Sequence, residues 1–501
     1  MAIMRFQSLA GVLLLAGVAM ADAAPEAHPN APDRSAVYIP RASGRNQADP
    51  IPVLPGPHLF VDDELIAFSR NLVRRVMPPQ RDSAIPNPLV RGKEDGVYQP
   101  YFSVSRSPES GRFRMWFGVA DEARSGNRSH VAYMESEDGI HWIRPPQVLR
   151  DPSPIQFGSE VIDLGPLWKD PARRYVLSYW YEGGLRVAVS PDGLSFRPIS
   201  PGVVIRHNHD INNVSFDPLR NRFVATLSAV VQSPHFKGRR RTTFQSFSSD
   251  LLSWTAPAIV LRADDSLDEG DTQFYAMNAY LDRGPLRLGM VKVLRDDLFS
   301  DPPALLQQRG GGYGTGYTTL AWTRDGEHWV RDREVFLDRG PTGSWDRSHA
   351  WIDEQLIVGD EVYLYYGGYR SGHKANRFEE RQIGLVRMRL DRYVARMPEP
   401  GREAVLVTTP LRINGRFRQL RVNAASGPAG FIRVGVLENE RPLAGLELES
   451  CRPVAGDGLR LAVVWKDADH TAQRLAGLKG RVVQLEFRIR EARLFAFDVA
   501  P

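Results

Sequence analysis

The feature that most constrains the fold of this 501-residue chain is a short turn sequence that occurs four times. In each copy a serine or threonine is followed two residues later by an aspartate and six residues later by a tryptophan or phenylalanine. The aspartates are 54, 58 and 75 residues apart (192−138, 250−192 and 325−250), and they are Asp138, Asp192, Asp250 and Asp325. Repeats of this length, each with four short strands, predict the blades of a β-propeller.

Five repeat units can be traced, and the fifth lacks the aspartate turn. They begin, in order, at Tyr98, Glu160, Asp210, Asp271 and Ile352. Because another part of the chain often completes the last blade of a propeller, we expect the segment near Phe60 to close the ring. After residue 396 the repeat is lost, and short alternating strands separated by glycine and proline predict a β-sandwich. The predicted fold is therefore all-β: a five-bladed β-propeller over residues 51–396, followed by a C-terminal β-sandwich over residues 397–501.

Residues 1–23 are typical of a secretory signal peptide, with Arg5 before an apolar run and Ala21-Asp22-Ala23 as a cleavage site. The apolar run is shorter than the ~20 residues that a membrane span needs, so we expect a secreted or periplasmic protein. Residues 24–50 are rich in proline, alanine, asparagine and aspartate, which predicts a disordered tether.

Net charge and cysteine content limit the kinds of partner and cross-link that the chain can have. The formal net charge of +5 is small for this length and argues against nucleic-acid binding. Cys451 is the only cysteine, so the chain cannot form an internal disulfide. We expect a monomer without a membrane span or a bound nucleic acid.

Loop lengths indicate which face of the ring carries function. Each unit has tight turns between its first and second and between its third and fourth strands, which places both turns on one face. The longer, polar connections then lie on the other face, where binding residues are expected. The aspartate turns should be structural: the aspartate bonds turn amides, the glycine supplies a positive φ, and the tryptophan packs between blades.

Carboxylates come at or before the first strand of four units. Since first strands line the centre of a propeller, we expect these acids to meet at the funnel mouth and to include the catalytic residues. They are Asp95, Glu160, Asp210 and Asp271. Crowded carboxylates acquire different pKa values, and a protonated acid beside an ionised base is what glycoside hydrolysis needs.

Aromatic and polar residues on the same face are candidates for substrate binding, because aromatic rings and planar cations suit sugars and their carboxylate or sulfate groups. The glycine pair Gly367-Gly368 would let a ligand approach the backbone near two of them. The candidates are Tyr98, Asn213, Trp180, Tyr181, His349, Arg370 and His373.

Three motifs together resemble the five-bladed propeller glycosidases, the group that includes glycoside hydrolase families 32, 43, 68, 117 and 130. They are Leu59 to Asp63 (Leu-Phe-Val-Asp-Asp), the Ser-x-Asp-Gly-x-x-Trp turns, and Gly359 to Gly368, and the match is closest to secreted bacterial relatives of family 32. The resemblance implies a base or nucleophile, an aspartate that orients, and a proton donor. On position these are Asp95, Asp210, and Asp271 or Glu160. The Asn-Asp-Pro-Asn-Gly motif of family 32 is absent from the chain.

The leading interpretation is a glycoside hydrolase acting on an oligo- or polysaccharide of plant, algal or microbial origin. A sialidase-like hydrolase is an alternative because sialidase propellers carry a similar aspartate box, one residue longer than the repeat here. A non-catalytic carbohydrate-binding propeller is a third. No cofactor is expected; a Ca²⁺ ion at the funnel stays open, although the sequence carries no ligand signature for it.

Overall fold

The computed structural model describes residues 35–37, 49–121, 128–146, 149–300, 314–372 and 374–500. The predicted signal peptide lies outside these residues, as does most of the predicted tether. The fold is nearly all-β, with 55% strand and 4% helix. The described helices are α1 (Gly92–Asp95), α2 (Ala468–Ala476) and two 3-10 turns, Pro171–Arg173 and Leu448–Ser450. None of the helices in these ranges has the length and apolar character to cross a membrane.

The strands fall into groups that follow the chain. The N-terminal strands are β1 (Ser35–Val37), β2 (Ile51–Val53), β3 (Gly56–Leu59), β4 (Ile66–Arg70) and β5 (Leu72–Val76). The first unit is β6 (Val97–Arg106), β7 (Phe113–Ala120) and β8 (Ser129–Ser136). The second is β9 (Phe157–Asp163), β10 (Tyr175–Trp180), β11 (Gly184–Ser190), β12 (Arg197–Pro198) and β13 (Ile205–Arg206). The third is β14 (Asn212–Asp217), β15 (Arg222–Gln232), β16 (Arg239–Ser248) and β17 (Ala258–Leu261).

The remaining strands form two further units and a C-terminal group. The fourth unit is β18 (Thr272–Arg283), β19 (Leu286–Arg295), β20 (Thr315–Thr323) and β21 (Trp329–Leu337). The fifth is β22 (His349–Val358), β23 (Glu361–Tyr369) and β24 (Gln382–Arg389). The C-terminal group is β25 (Val394–Pro398), β26 (Glu403–Thr408), β27 (Leu411–Ile413), β28 (Gln419–Glu438), β29 (Arg441–Pro442), β30 (Asp457–Val463) and β31 (Val482–Ala500).

The first strands of the five units form a closed circle. Within each unit successive strands pair antiparallel, as hairpins do. The first strands β6, β9, β14, β18 and β22 contact one another in this order, and β22 contacts β6. Residues early in these strands therefore surround one central opening.

The four aspartate turns share one hydrogen-bond pattern, as expected from the sequence. In each turn an aspartate oxygen accepts from the amides two and three residues ahead, at 2.8–3.0 Å. The serine or threonine oxygen accepts from the amide three residues ahead, at 2.9–3.0 Å. Glycine supplies the positive φ of 76° in three turns, whereas Leu251 takes φ 71° in the fourth and buries its side chain. These hydrogen bonds give the aspartates a structural role.

The N-terminal strands correct the prediction about ring closure. Strand β3 pairs with β31 and β5 pairs with β25, so the segment near Phe60 joins the C-terminal sheet. Phe60 is fully buried against Phe487 and Phe497 of that sheet. Burial of the apolar Phe60 side chain in this core stabilises the folded protein, which explains why its segment pairs with the C-terminal sheet. Instead, isolated bridges place Gln80 and Val90 beside β24, where they flank the fifth unit.

One short strand, β1, falls within residues 24–50, the predicted tether. Strand β1 pairs in parallel with β21 over Trp329 to Arg331. Strand β21 ends the fourth unit and exposes an edge with unpaired backbone groups, which a short extended segment can satisfy.

Candidate active site

Two tyrosines meet across the central opening. Tyr101 of β6 and Tyr275 of β18 come from strands that are not neighbours in the circle, and their hydroxyl oxygens are 3.4 Å apart. The ring of Trp351 stacks on Tyr275 with centroids 4.5 Å apart. We call these three side chains the aromatic floor. The charge of Asp210 acts on both tyrosines, and Lys292 lies 5.5 Å from the ring centroid of Tyr101. We call the surroundings of Asp210 the mouth pocket.

β-Bulges aim the central side chains. The β18–β19 register skips Tyr275, and the β22–β23 register skips Asp353. A bulge re-aims a side chain that strict alternation would place elsewhere. The bulge at Asp353 also explains how the consecutive residues Asp353 and Glu354 can both lie close enough to Glu160 for their charges to raise its pKa.

Asp210 is the carboxyl of the mouth pocket. It lies directly before β14, and its side chain keeps 30% of its accessible surface. Burial raises the pKa of Asp210 above its usual value, although the nearby charges of Arg241, Arg377 and Lys374 oppose the rise. The charge of Asp210 acts in turn on both floor tyrosines, Tyr101 and Tyr275. A solvent-reachable carboxyl whose pKa is raised is better suited to donate a proton than one with an ordinary pKa.

His209 beside it is a neutral imidazole. Burial lowers the pKa of His209 well below its usual value, and the charge of Arg241 adds to this effect. The Nε of Arg241 donates to His209 Nε2 at 3.0 Å, so that nitrogen is an acceptor, and Nδ1 can donate to Ser228 Oγ at 3.1 Å. The 3.4 Å contact between His209 Nε2 and Asp210 is therefore not an ion pair.

The connection between β23 and β24, described over residues 370–372 and 374–381, lies close to Asp210. The ring of Phe378 stacks on Tyr98 of β6, with centroids 5.0 Å apart. The positive charges of Arg377 and Lys374, from the same connection, act to lower the pKa of Asp210, which directly precedes the first strand of the third unit. Arg381, at its end, lies over the ring of Tyr369.

A cluster of buried charges lies below the floor. Lys292 and Asp353 are almost completely buried and form an ion pair through Nζ and Oδ1, and Asn278 Nδ2 donates to the same oxygen. Lys292 also lies 5.5 Å from the ring centroid of Tyr101. Because first strands run inward from the mouth, Asp353 is deeper than His349 and Trp351 on β22. We call Glu160, Lys292, Asp353 and Glu354 the deep cluster.

Burial raises the pKa of every carboxyl in this cluster. It raises the pKa of Asp353 to about 6, against the opposing charge of Lys292. It raises the pKa of Glu354 to about 8, with a further contribution from Asp353. The pKa of Glu160 is well above its usual value because of burial and the charges of Glu354 and Asp353. At neutral pH the cluster therefore holds a proton on Glu354.

We expect this cluster to make the protein less stable as pH rises. The pKa of Glu354 is about 8 in the folded protein against its usual 4.5, so the folded state retains a proton that the unfolded chain loses. Its stabilising effect is complete below pH 4.5 and is lost as pH rises through about 8. Urea unfolding should show the free energy of unfolding falling by roughly 5 kcal/mol over this window, and by less in Glu354→Gln. Equal pH slopes in the two proteins would contradict the assignment.

The structure distributes the four predicted acids over different places. Asp210 lies in the mouth pocket and Glu160 lies within β9, in the deep cluster. Asp95 ends α1 before β6, and its side chain accepts a hydrogen bond from the Arg91 amide at 2.7 Å. Asp271 is 58% exposed and its nearest cation is Arg240, at 3.7 Å. Only Asp210 is thus surrounded by the rings and cations of the mouth.

Two of the predicted binding residues lie at the mouth. Tyr98 is buried under Phe378, and His349 is fully buried beside Tyr369 and Trp351. Burial lowers the pKa of His349 well below its usual value.

The other predicted binding residues are more scattered. Asn213 is buried and donates to the Met277 carbonyl at 2.7 Å. Trp180 and Tyr181 lie at the tight hairpin between β10 and β11. Arg370 is exposed, and His373 lies outside the described residues.

Sequence reasoning missed the floor tyrosines Tyr101 and Tyr275, the buried Lys292, and Arg381 as a member of the mouth. One of them carries a readable signal: Lys292 interrupts the otherwise apolar run from Leu286 to Leu294, apart from Arg287. A lysine inside a buried strand indicates a carboxylate partner. Among the described residues no group of three or more histidine, cysteine, aspartate or glutamate side chains is arranged to hold a metal ion.

Comparison with known proteins gives structural matches alone. No protein-family model matches the sequence, and no curated protein matches it. Similar solved structures include a thermostable family-43 glycoside hydrolase, with TM-score 0.43, 14% identity, and coverage of 60% of this chain and 92% of that one. A fructofuranosidase from Schwanniomyces occidentalis has TM-score 0.40 and 10% identity over 84% and 98% of the two chains.

A third match belongs to the GH130 family of mannoside phosphorylases, described as containing glycoside hydrolases that target β-1,2 mannosidic linkages in Candida mannan. It has TM-score 0.41 and 14% identity over 63% and 95% of the two chains. The chain is therefore similar to glycoside hydrolase structures of the propeller class. Within that class the matches include families 43 and 130 and a fructofuranosidase, which confirms the resemblance seen in the sequence. Scores below 0.5 describe a general likeness and identify no substrate and no residue role.

Proposed function

We propose that this protein is a secreted glycoside hydrolase that cleaves an oligo- or polysaccharide in its mouth pocket. The observation that carries the proposal is Asp210, a solvent-reachable carboxyl with a raised pKa, beside Tyr101 and Tyr275 at the mouth of a closed circle of strands. Aromatic rings provide surfaces for sugar rings, and a carboxyl with a raised pKa is suited to protonate a glycosidic oxygen.

In this proposal Asp210 is the general acid. Its proton passes to the glycosidic oxygen as the bond from that oxygen to the anomeric carbon breaks, and water supplies the hydroxyl that the anomeric carbon gains. Asp95 is the candidate base or nucleophile, because it precedes β6 and lies three residues before Tyr98, which packs against the loop that lies close to Asp210. Asp271 and Glu160 are weaker candidates, since one is exposed and the other lies below the floor.

The architecture behind the proposal is a five-bladed β-propeller with a C-terminal β-sandwich. The closed circle of five first strands supports the blade number. The long strands β28 and β31 break register between Ser426 and Phe431, where a sheet can bend into two layers around one core. Because β2 to β5 pair with this C-terminal sheet, we propose that the propeller begins near residue 77 rather than at residue 51. Secretion rests on the signal-like residues 1–23.

A non-catalytic carbohydrate-binding protein is the second candidate. It is favoured by the placement of two predicted acids away from the mouth centre: Asp95 bonds its own helix, and Asp271 faces solvent. A binder would keep the rings and cations of the mouth without needing a second carboxylate there.

A panel of plant, algal and microbial glycans separates the two candidates. The hydrolase predicts new reducing ends from at least one glycan, measured with the purified mature chain and absent when the chain is heat-denatured. Saturable binding in calorimetry without product from any bound glycan would reject the hydrolase and favour the binder.

A further inference from the structure

Arg381 is a buried cation without a counter-charge in the described part of the chain. The residue is 4% exposed, and its guanidinium carbon lies 3.8 Å from the ring centroid of Tyr369. Its Nε and Nη1 are buried and have no hydrogen-bond acceptor among the described residues. Leaving buried charged donors without an acceptor costs several kcal/mol, so such a group indicates a partner that the chain itself does not supply.

The stack on Tyr369 does not satisfy this need. A guanidinium that lies on an aromatic face keeps its N–H groups in its own plane, where they are directed past the ring edge. Tyr369 is itself almost completely buried, and the charge of Arg381 acts on its hydroxyl. A hydroxyl beside the guanidinium does not supply the negative charge that Arg381 lacks. The ring therefore orients the guanidinium as a fork whose donors remain free for a planar or tetrahedral anion.

The surroundings of Arg381 are positively charged. Four cations lie close enough for their charges to lower the pKa of Asp210, Tyr275 or Tyr369. They are Arg241, Lys374, Arg377 and Arg381. Facing them are two carboxyls: Asp210, whose pKa is raised by burial, and Asp296, which lies 3.8 Å from Arg241 and accepts a hydrogen bond from Gln273. His209 and His349 stay neutral. Below the floor Asp353 is already paired with Lys292. A third carboxylate of the mouth, Glu380 of the connection between β23 and β24, accepts hydrogen bonds from Ser371 and Asn376. Four cations therefore face three carboxyls, and none of these three described carboxyls forms an ion pair with Arg381.

We propose that the mouth pocket binds a sugar that carries an anionic group, a carboxylate or a sulfate ester, and that Arg381 receives this group. Lys374 and Arg377, from the same connection, add attraction for the anion. The inference rests on the proposed glycan-processing function and narrows its substrate class to acidic glycans. Both anions share the oxygen geometry that an arginine fork recognises, and the test separates them.

The test compares sets of oligosaccharides with the same backbone: the neutral chain, the chain with one uronic acid, and the chain with one sulfate ester. Calorimetric binding and release of reducing ends are measured on the full mature chain. We expect at least one anionic member to bind about tenfold or more tightly than the neutral one. This preference should weaken as salt rises, because mobile ions screen the attraction.

Variants assign the preference to residues. Arg381→Met should reduce affinity for the anionic sugar by roughly tenfold to a hundredfold and leave affinity for the neutral sugar nearly unchanged. Arg381→Lys keeps the positive charge but loses the forked arrangement of donors. Its affinity for the anionic sugar should lie between those of the unchanged protein and Arg381→Met. Arg381 is buried, so Arg381→Met can fail to fold. In that case the double variant Lys374→Ala/Arg377→Ala tests the attraction for the anion, because Lys374 is exposed and Arg377 is half-buried. Arg441→Gln, an exposed arginine on the C-terminal sheet, is the matched control.

The outcomes separate this inference from the proposed hydrolase. Selective binding of anionic sugars without any product would overturn the hydrolase and support the anion site. Cleavage of neutral glycans with no preference for anionic ones would overturn the anion site and support the hydrolase. An anionic preference that survives in both the Arg381→Met and the double variant would also overturn the assignment to these residues.

Discussion

Asp210→Asn is expected to lower kcat for glycan hydrolysis by about 10²–10⁴-fold, the range that a positioned proton donor contributes. The amide has the same shape but cannot release a proton, so the affinity for substrate should change little. Initial rates at saturating substrate give kcat, and calorimetry on the inactive variant gives the dissociation constant. A large fall in kcat with nearly constant affinity is the signature of a group that acts in the reaction rather than in folding.

Three further substitutions make the Asp210 result specific. Asp360→Asn, at the exposed turn between β22 and β23, should behave like the unchanged protein. Asp95→Asn should cause a loss comparable to that of Asp210→Asn if Asp95 is the base or nucleophile. Asp271→Asn should keep most activity because that side chain is 58% exposed beside Arg240. Retention of activity in Asp210→Asn together with its loss in Asp271→Asn would reverse the assignment.

The repeat turns could be predicted from sequence because their structure is local. Asp138 and Ser136 bond amides at most three residues away, and Gly139 supplies the positive φ between them. Everything needed to form the turn lies within seven residues, so each copy signals its own geometry. The order of strands within each unit follows from the same local signals.

Strand pairing over long separations could not be predicted. Strand β3 contains only four residues, and nothing in it specifies β31, more than 400 residues further along the chain, as its partner. The choice is made by burial of Phe60 in the core around Phe487 and Phe497, which forms only when the C-terminal strands are in place.

The same limit applies to the site. Asp210 could be predicted because it directly precedes a first strand, and the structure does place it at the central opening. The contact between Tyr101 and Tyr275 depends instead on the diameter of the circle and on the bulge at Tyr275. Strict alternation, the rule available from sequence, assigns a bulged residue to the wrong face. The approach of Asp353 and Glu354 to Glu160 escaped prediction for the same reason.

Lys292→Met is expected to lower the free energy of unfolding by about 3–5 kcal/mol near pH 7.5, the cost of leaving one member of a buried ion pair uncompensated. The substitution keeps the length of the side chain but removes the charge that faces Asp353, in a cluster where Glu160 and Glu354 supply further carboxyls. The loss should be smaller at pH 5. The pKa of Asp353 is about 6 with Lys292 present and should rise further without it, so its carboxyl can become neutral. Urea unfolding at both pH values measures the difference.

The double variant Lys292→Met/Asp353→Asn identifies the cause of that loss. If the uncompensated carboxylate is responsible, removing its charge should restore most of the stability at pH 7.5 and abolish the pH dependence of the single variant. Arg112→Gln provides the comparison at the surface, because Arg112 pairs with Glu135 and Glu137 while 48% exposed, and exposed ion pairs contribute little to stability. A loss in Lys292→Met that the second substitution does not relieve would mean that packing beneath Tyr101, rather than charge, determines the role of Lys292.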